Sequence, residues 1–134
     1  MVIQSLAGLP AFLAYFCVSM VAVIIYLLIY TRITQHDEFD LVGKKNSAAA
    51  AAIGMSLLGF SLPVASAVAH AANILDCAIW TLIALCVQVV VYYVARIPVP
   101  NLSAQIAAGN LAAGLWLGLA SLTAGVLSAA SMSL

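Results

Sequence analysis

Apolar residues in this chain gather into four long runs, parted by short segments that hold nearly all the polar side chains. A helix that crosses a bilayer needs about 20 mostly apolar residues. The runs Pro10 to Tyr30, Ser47 to Ala69, Ala78 to Val94 and Leu111 to Met132 meet that length or approach it. They predict four membrane-spanning helices. The first is rich in Val, Ile, Leu and aromatics, and Pro10 suits a first helical turn because its missing N–H costs nothing there. Tyr26 and Tyr30 fall near its far end, where interfacial aromatic belts sit. No Lys or Arg precedes this run and it is longer than a signal-peptide core, so it reads as a span. The second run carries Gly54, Gly59 and Pro63. Pro63 predicts a kink, tolerable in a bundle if a neighbour satisfies the carbonyl it leaves without a donor.

The connections have their own patterns. Thr31 to Lys45 holds most of the charge, with Phe39 and Val42 able to dip into the headgroups. It predicts a short interfacial helix or turn, supported by Asp40 and Lys44 at i, i+4. His70, Asn73 and Asp76 mark a solvated turn. Arg96-Ile97-Pro98-Val99-Pro100 ends the third run. A short helix over Asn101 to Gly109 follows, with Asn101 at the N-cap, Leu102 and Ile106 on one face and Gly109 as terminator.

Composition changes the solvent, not the helices. The chain has 134 residues, 66% hydrophobic and 6% charged. Soluble domains carry roughly a quarter charged residues, so lipid must cover this surface. The expected fold is all-α: one integral-membrane domain over residues 1–134, a four-helix bundle. The balanced net charge gives no footprint for nucleic acid. All four Lys and Arg residues (Arg32, Lys44, Lys45, Arg96) lie in the first and third connections. By the positive-inside rule those loops are cytoplasmic, and both termini face the periplasm. Cys17, Cys77 and Cys86 show no metal or disulfide spacing, and a thiol within a span is a small hydrophobe.

Sliding the chain against itself by 64 residues sets Arg32-Ile33 on Arg96-Ile97, Asn46 on Asn110, Gly54 on Gly118, Leu58 on Leu122 and Ala65 on Ala129. The matches sit at punctuation points: the basic exit, the Asn entry, the helix glycine. They predict two copies of a two-span hairpin, at approximately 10–70 and 74–134, related by an axis along the membrane normal. Spans two and four are small-residue helices. Gly114, Gly118, Ser121, Gly125 and Ala129 make one smooth face on span four, and the residues in register on span two are Ala50, Gly54, Leu57, Ser61 and Ala65. In lipid, small residues allow the close backbone approach that packs helices. Spans two and four should therefore form the centre, with one and three outside.

Asn46 and Asn110 have a plain role as N-caps. The alternative is a shared polar site where two helix N-termini meet. Gln88 is the one strongly polar residue inside span three; it is either an interhelical hydrogen-bonding group or part of a polar pathway. Arg32 and Arg96 can snorkel from span ends. No ionisable residue lies deep in a span, which argues against a proton-coupled pump. His36, Asp37, Glu38 and Asp40 have metal-ligand chemistry, but their crowding is not ligand spacing on one helix face, so neither metal nor cofactor is expected. No nucleophile–base pattern, zinc motif or phosphate loop is present, and an enzyme is not expected.

Ile29 to Phe39, Asn46-Ser47-Ala48-Ala49, Leu58-Gly59 and Asn110-Leu111-Ala112-Ala113-Gly114 together resemble the YjfL-like family of small bacterial inner-membrane proteins, domain-of-unknown-function family 350. The resemblance covers nearly the whole chain. It implies a multi-pass inner-membrane location and two copies of a two-span unit, each second span opening with a Gly-Asn-x-Ala-like motif. Here the second copy has Gly109-Asn110 and the first Lys45-Asn46. The resemblance supplies no activity. Two functions stay open: a structural or partner-binding membrane subunit, and a small channel or carrier for an ion or small solute. The partners expected are the bilayer and either a further copy or another membrane protein. A dry Gly/Ala interface would favour the first function, and a polar row facing one cavity the second.

Overall fold

The computed structural model describes residues 6–33, 38–99 and 101–132, with backbone alone for 38–40. Six helices follow in order: α1 (Leu9–Ile33), α2 (Glu38–Gly43), α3 (Ser47–His70), α4 (Ile74–Ala95), α5 (Leu102–Ala107) and α6 (Leu111–Met132). Among the described residues there is no strand. Four helices, α1, α3, α4 and α6, are long and apolar enough to cross a membrane. The fold is all-helical with four candidate membrane-spanning helices.

Three of the four runs start and end within a few residues of their expected limits. The exception is α4, which begins at Ile74 instead of Ala78. The turn residues explain the difference. Asn73 accepts from the Asp76 backbone N–H at 2.8 Å, and Asp76 accepts from the Ala72 N–H at 3.0 Å. This reciprocal arrangement works like a capping box and draws Asn73 and Asp76 into the helix start. α5 buries Leu102 and Ile106 as their spacing requires. Asn101, however, does not cap it through its side chain. Its backbone is left-handed, at φ 58°, and the helix begins without that bond. Gly109, at φ 87°, ends the turn that follows.

The bundle is organised around α3 and α6. Half of the most apolar stretch of α3 is buried, against 6% for α1. Where the two helices cross, backbone meets backbone. A Cβ added to Gly114 would lie 2.2 Å from the Ala48 carbonyl oxygen, and one on Gly125 would lie 1.9 Å from that of Gly59. The α6 face is the expected one: Gly114, Gly118, Ser121 and Gly125 are buried. The α3 face is not. Ala50, Gly54 and Ala65 are exposed, and the α3 residues buried instead include Ala48, Ala52, Ser56, Gly59, Pro63 and Ala67. The two halves of the chain therefore meet through nearly opposite faces of their small-residue helices. Alanine fills positions 48–52, so α3 is smooth on several sides, and the choice falls to the side carrying Gly59.

α1 docks on the bundle through one end. Tyr26 stacks on Phe60 with ring centroids 4.7 Å apart, and Tyr30 meets Tyr92 edge-on at 6.3 Å. Both tyrosines are buried, so they anchor α1 to the bundle by packing. The rest of α1 presents Leu13, Phe16, Val21 and Ile24 outward.

Candidate functional site

Two places gather the polar groups that sequence reading singled out. The first lies in the middle of the bundle. Pro63 has no N–H, so the carbonyl of Gly59, four residues earlier, lacks its usual helical donor. Helix α3 nevertheless runs unbroken from Ser47 to His70. Gln88 of α4 reaches across: its Nε2 donates to the Gly59 carbonyl at 3.3 Å and to the Ser121 carbonyl of α6 at 3.2 Å. The Ser121 hydroxyl donates back to Gln88 Oε1. One buried amide thus ties three helices at their tightest crossing, and both ends of it are occupied. A buried polar group in lipid is stable only when satisfied in this way. The Thr81 hydroxyl is also buried, without a partner among the described residues, and the Ser56 and Ser121 hydroxyls neighbour that of Tyr26.

The cavities formed by the described residues lie elsewhere. A groove of about 500 Å³ runs between α1 and α3, and one of about 220 Å³ lies among α1, α3 and α4. Phe12, Phe16, Met20 and Val68 wall the first together with Tyr15, Ser19 and Ser61; Val21, Phe60 and Leu85 wall the second together with Thr81. Gln88 and Ser121 line neither.

The second polar place is the end of the bundle that carries α2 and α5. Asn46 caps α3, its Oδ1 accepting from the Ala49 N–H at 3.1 Å. Its Nδ2 donates to the carbonyls of Ile106 at 3.0 Å and Ala107 at 3.3 Å. Those carbonyls belong to the last turn of α5, where helical donors run out. Asn110 caps α6 more loosely, with Ala113 N–H at 3.4 Å, and its Nδ2 donates to Gln105 Oε1 at 3.0 Å. The two asparagines bond to backbone and to Gln105, not to each other. Preceding them, Lys45 and Gly109 both have positive φ, 62° and 87°. The Asn46 N–H bonds the Leu41 carbonyl at 2.9 Å, and the Asn110 N–H bonds the Gln105 carbonyl at 3.0 Å.

The remaining candidates are dispersed. Gly118 is buried, and an added Cβ would lie 2.7 Å from Met55 Cβ; at Gly54 an added Cβ would meet nothing within 4 Å. Arg32 is exposed near the end of α1. The Arg96 guanidinium lies 5.8 Å from the Tyr92 ring centroid and 5.9 Å from that of Tyr93, a cation–π arrangement. His36 lies outside the described residues, as does the side chain of Glu38, whose backbone opens α2. Among the described residues no group of three or more His, Cys, Asp or Glu is placed to hold a metal. Sequence reading missed two cross-links. Tyr92 and Ser103 share a hydroxyl–hydroxyl bond of 3.1 Å, and Trp116 Nε1 donates to the Ala95 carbonyl at 2.9 Å. The signal was available, since aromatic N–H and O–H groups near buried ground seek acceptors. Which carbonyl each would find was not.

Comparison with known proteins agrees with this membrane architecture. The chain is similar to the UPF0719 inner membrane protein YjfL of Escherichia coli strain K12, 41% identical over 128 residues that cover 96% of this chain and 97% of that protein. The protein of the same name from Escherichia coli O157:H7 matches with the same figures. No solved structure matches. Residues 4–132 match a family model described as Domain of Unknown Function (DUF350), and the chain belongs to that family.

Proposed function

We propose that the protein is a non-catalytic, multi-pass inner-membrane subunit whose role is structural or partner-binding. The observation that carries this reading is the close backbone-to-backbone crossing of α3 and α6, in which the buried amide of Gln88 is consumed by tying helices together. A solute path through the middle would need polar groups left free toward a cavity. The inner-membrane location is supported by the similarity to YjfL.

Two structural refinements belong to the same reading. The chain is a duplication of a two-span hairpin. In support, α2 and α5 end at Gly43 and Ala107, α3 and α6 begin at Ser47 and Leu111, and Lys45 and Gly109 both have positive φ, each pair 64 apart by subtraction. The copies run in the same direction but pack asymmetrically. Both termini face the periplasm, supported by the placement of every Lys and Arg in the first and third connections.

The experiment is purification in a mild detergent from the membranes that natively hold the protein. The expected result is a stoichiometric complex with another membrane protein or with further copies. A lone monomer that, reconstituted in vesicles, passes ions or small solutes would replace this reading with the channel. Fusing a reporter active only in the cytoplasm to Leu134 tests the orientation; it should be silent.

A further inference from the structure

The break at Pro63 stands beside a groove between α1 and α3. Beyond Gly59, the outer part of α3 buries Pro63, Val64 and Ala67, and Ser66 Oγ donates to the Ala129 carbonyl of α6 at 2.9 Å. On its other side lies the groove of about 500 Å³, walled by Ser61, Ala65 and Val68 of α3 and by Phe12, Phe16 and Met20 of α1. The α3 residues of this groove lie at 61–68, around and beyond the proline. Ser61 Oγ donates to the Leu57 carbonyl at 2.7 Å, a back-bond that favours bending. The Gly59 backbone itself is pinned against Gly125. A fixed point, a missing ladder bond just beyond it and room on one side are the elements of a hinge.

We propose that α3 is a proline hinge latched by Gln88. Gly59 is the pivot, and the amide of Gln88, by holding the Gly59 carbonyl, keeps the outer half straight against α6. Release of that bond lets the outer half swing into the groove toward α1. The motion separates Ser66 from Ala129 and narrows the gap between Ala65 and Phe16. Gln88 is a positioning residue here: it acts on the helix through one carbonyl.

The test uses the full chain in lipid vesicles, with Cys17, Cys77 and Cys86 replaced by alanine and cysteines placed by Phe16→Cys and Ala65→Cys. The readout is the rate of oxidative cross-linking between the two new cysteines. With Gln88 present, cross-linking should be slow. Gln88→Leu should raise the rate about fivefold, the population shift expected when one hydrogen bond of ordinary strength is lost. Adding Pro63→Ala to the Gln88→Leu protein should return the rate to its starting value, because residue 63 then supplies the Gly59 carbonyl with its own N–H. Gln88→Asn, too short to span the gap but still polar, serves the same comparison if the leucine variant does not fold. Equal rates with and without the Gln88 side chain would overturn the proposal. So would a Gln88 effect that persists unchanged after Pro63→Ala.

Discussion

Adding a single methyl group separates the glycines at the α3–α6 crossing from Gly54, which lies outside it. Gly125→Ala would set a Cβ 1.9 Å from the Gly59 carbonyl oxygen, where ordinary contact begins at 3.4 Å. The obstacle is backbone, so no rotamer relieves it; the helices must part locally by roughly the difference, about 1.5 Å. Such overpacking costs about 1–3 kcal/mol, while alanine's helix propensity returns up to about 1 kcal/mol. A net loss of up to about 2 kcal/mol is expected, with Gly114→Ala close behind because its Cβ would meet the Ala48 carbonyl oxygen at 2.2 Å. Gly54→Ala adds the same methyl where nothing lies within 4 Å, so only the propensity gain remains: no change, or up to about 1 kcal/mol of stabilisation. The assay is reversible unfolding in mixed micelles, monitored by circular dichroism, with all variants in one detergent. Gly125→Ala and Gly54→Ala unfolding at the same denaturant fraction would refute the claim that backbone contact between α3 and α6 holds the bundle.

Further outcomes follow from the connections and the anchors. Lys45 sits at φ 62° in the place that Gly109 fills at φ 87°, so Lys45→Gly should stabilise the protein by about 1 kcal/mol and Gly109→Ala should weaken it by a similar amount in the same unfolding assay. Asn46→Ala loses a cap and two bonds to the end of α5, so it should cost more than Asn110→Ala, whose cap is longer. Because Asn46 anchors the turn that delivers Asn110, the double mutant should depart from the sum by more than about 0.5 kcal/mol; strict additivity would show two independent caps. Gly118→Leu should destabilise far more than Val90→Leu, since a Cβ added at Gly118 would lie 2.7 Å from Met55 Cβ while Val90 is exposed; equal melting temperatures would contradict this. Trp116→Phe, which leaves the Ala95 carbonyl without its 2.9 Å donor, should lower stability by about 1 kcal/mol.

The helices were legible because lipid makes length and apolarity nearly sufficient conditions. The α6 face was legible too, since Gly114, Gly118, Ser121 and Gly125 form the only glycine-rich line on that helix. On α3 the same reasoning failed. Aligning Gly54 with Gly118 assumed that duplicated helices present equivalent faces, yet an alanine run offers smooth ground all round. The face in use is set by Gly59, whose counterpart 64 residues on is the exposed Thr123. The missed start of α4 is a smaller case: the capping pair Asn73 and Asp76 stood in the sequence but looked like a solvated turn because both residues are polar.

The polar contact at the centre was within reach of the sequence in a way the packing face was not. Inside a bilayer every donor and acceptor must find a partner among a short roll of candidates. Pro63 removes one donor from α3 and so leaves one acceptor over, at Gly59. Span three contains one side-chain amide, Gln88. Low dielectric penalises leaving either alone, and joining them discharges both with one contact. That pairing also fixes depth and rotation: α4 must turn Gln88 toward α3 at the level of Gly59. The Ser121 hydroxyl, donating to Gln88 Oε1, sets α6 at the same level. The small residues permit close approach anywhere along the two helices; the single amide selects the register at which the approach is made.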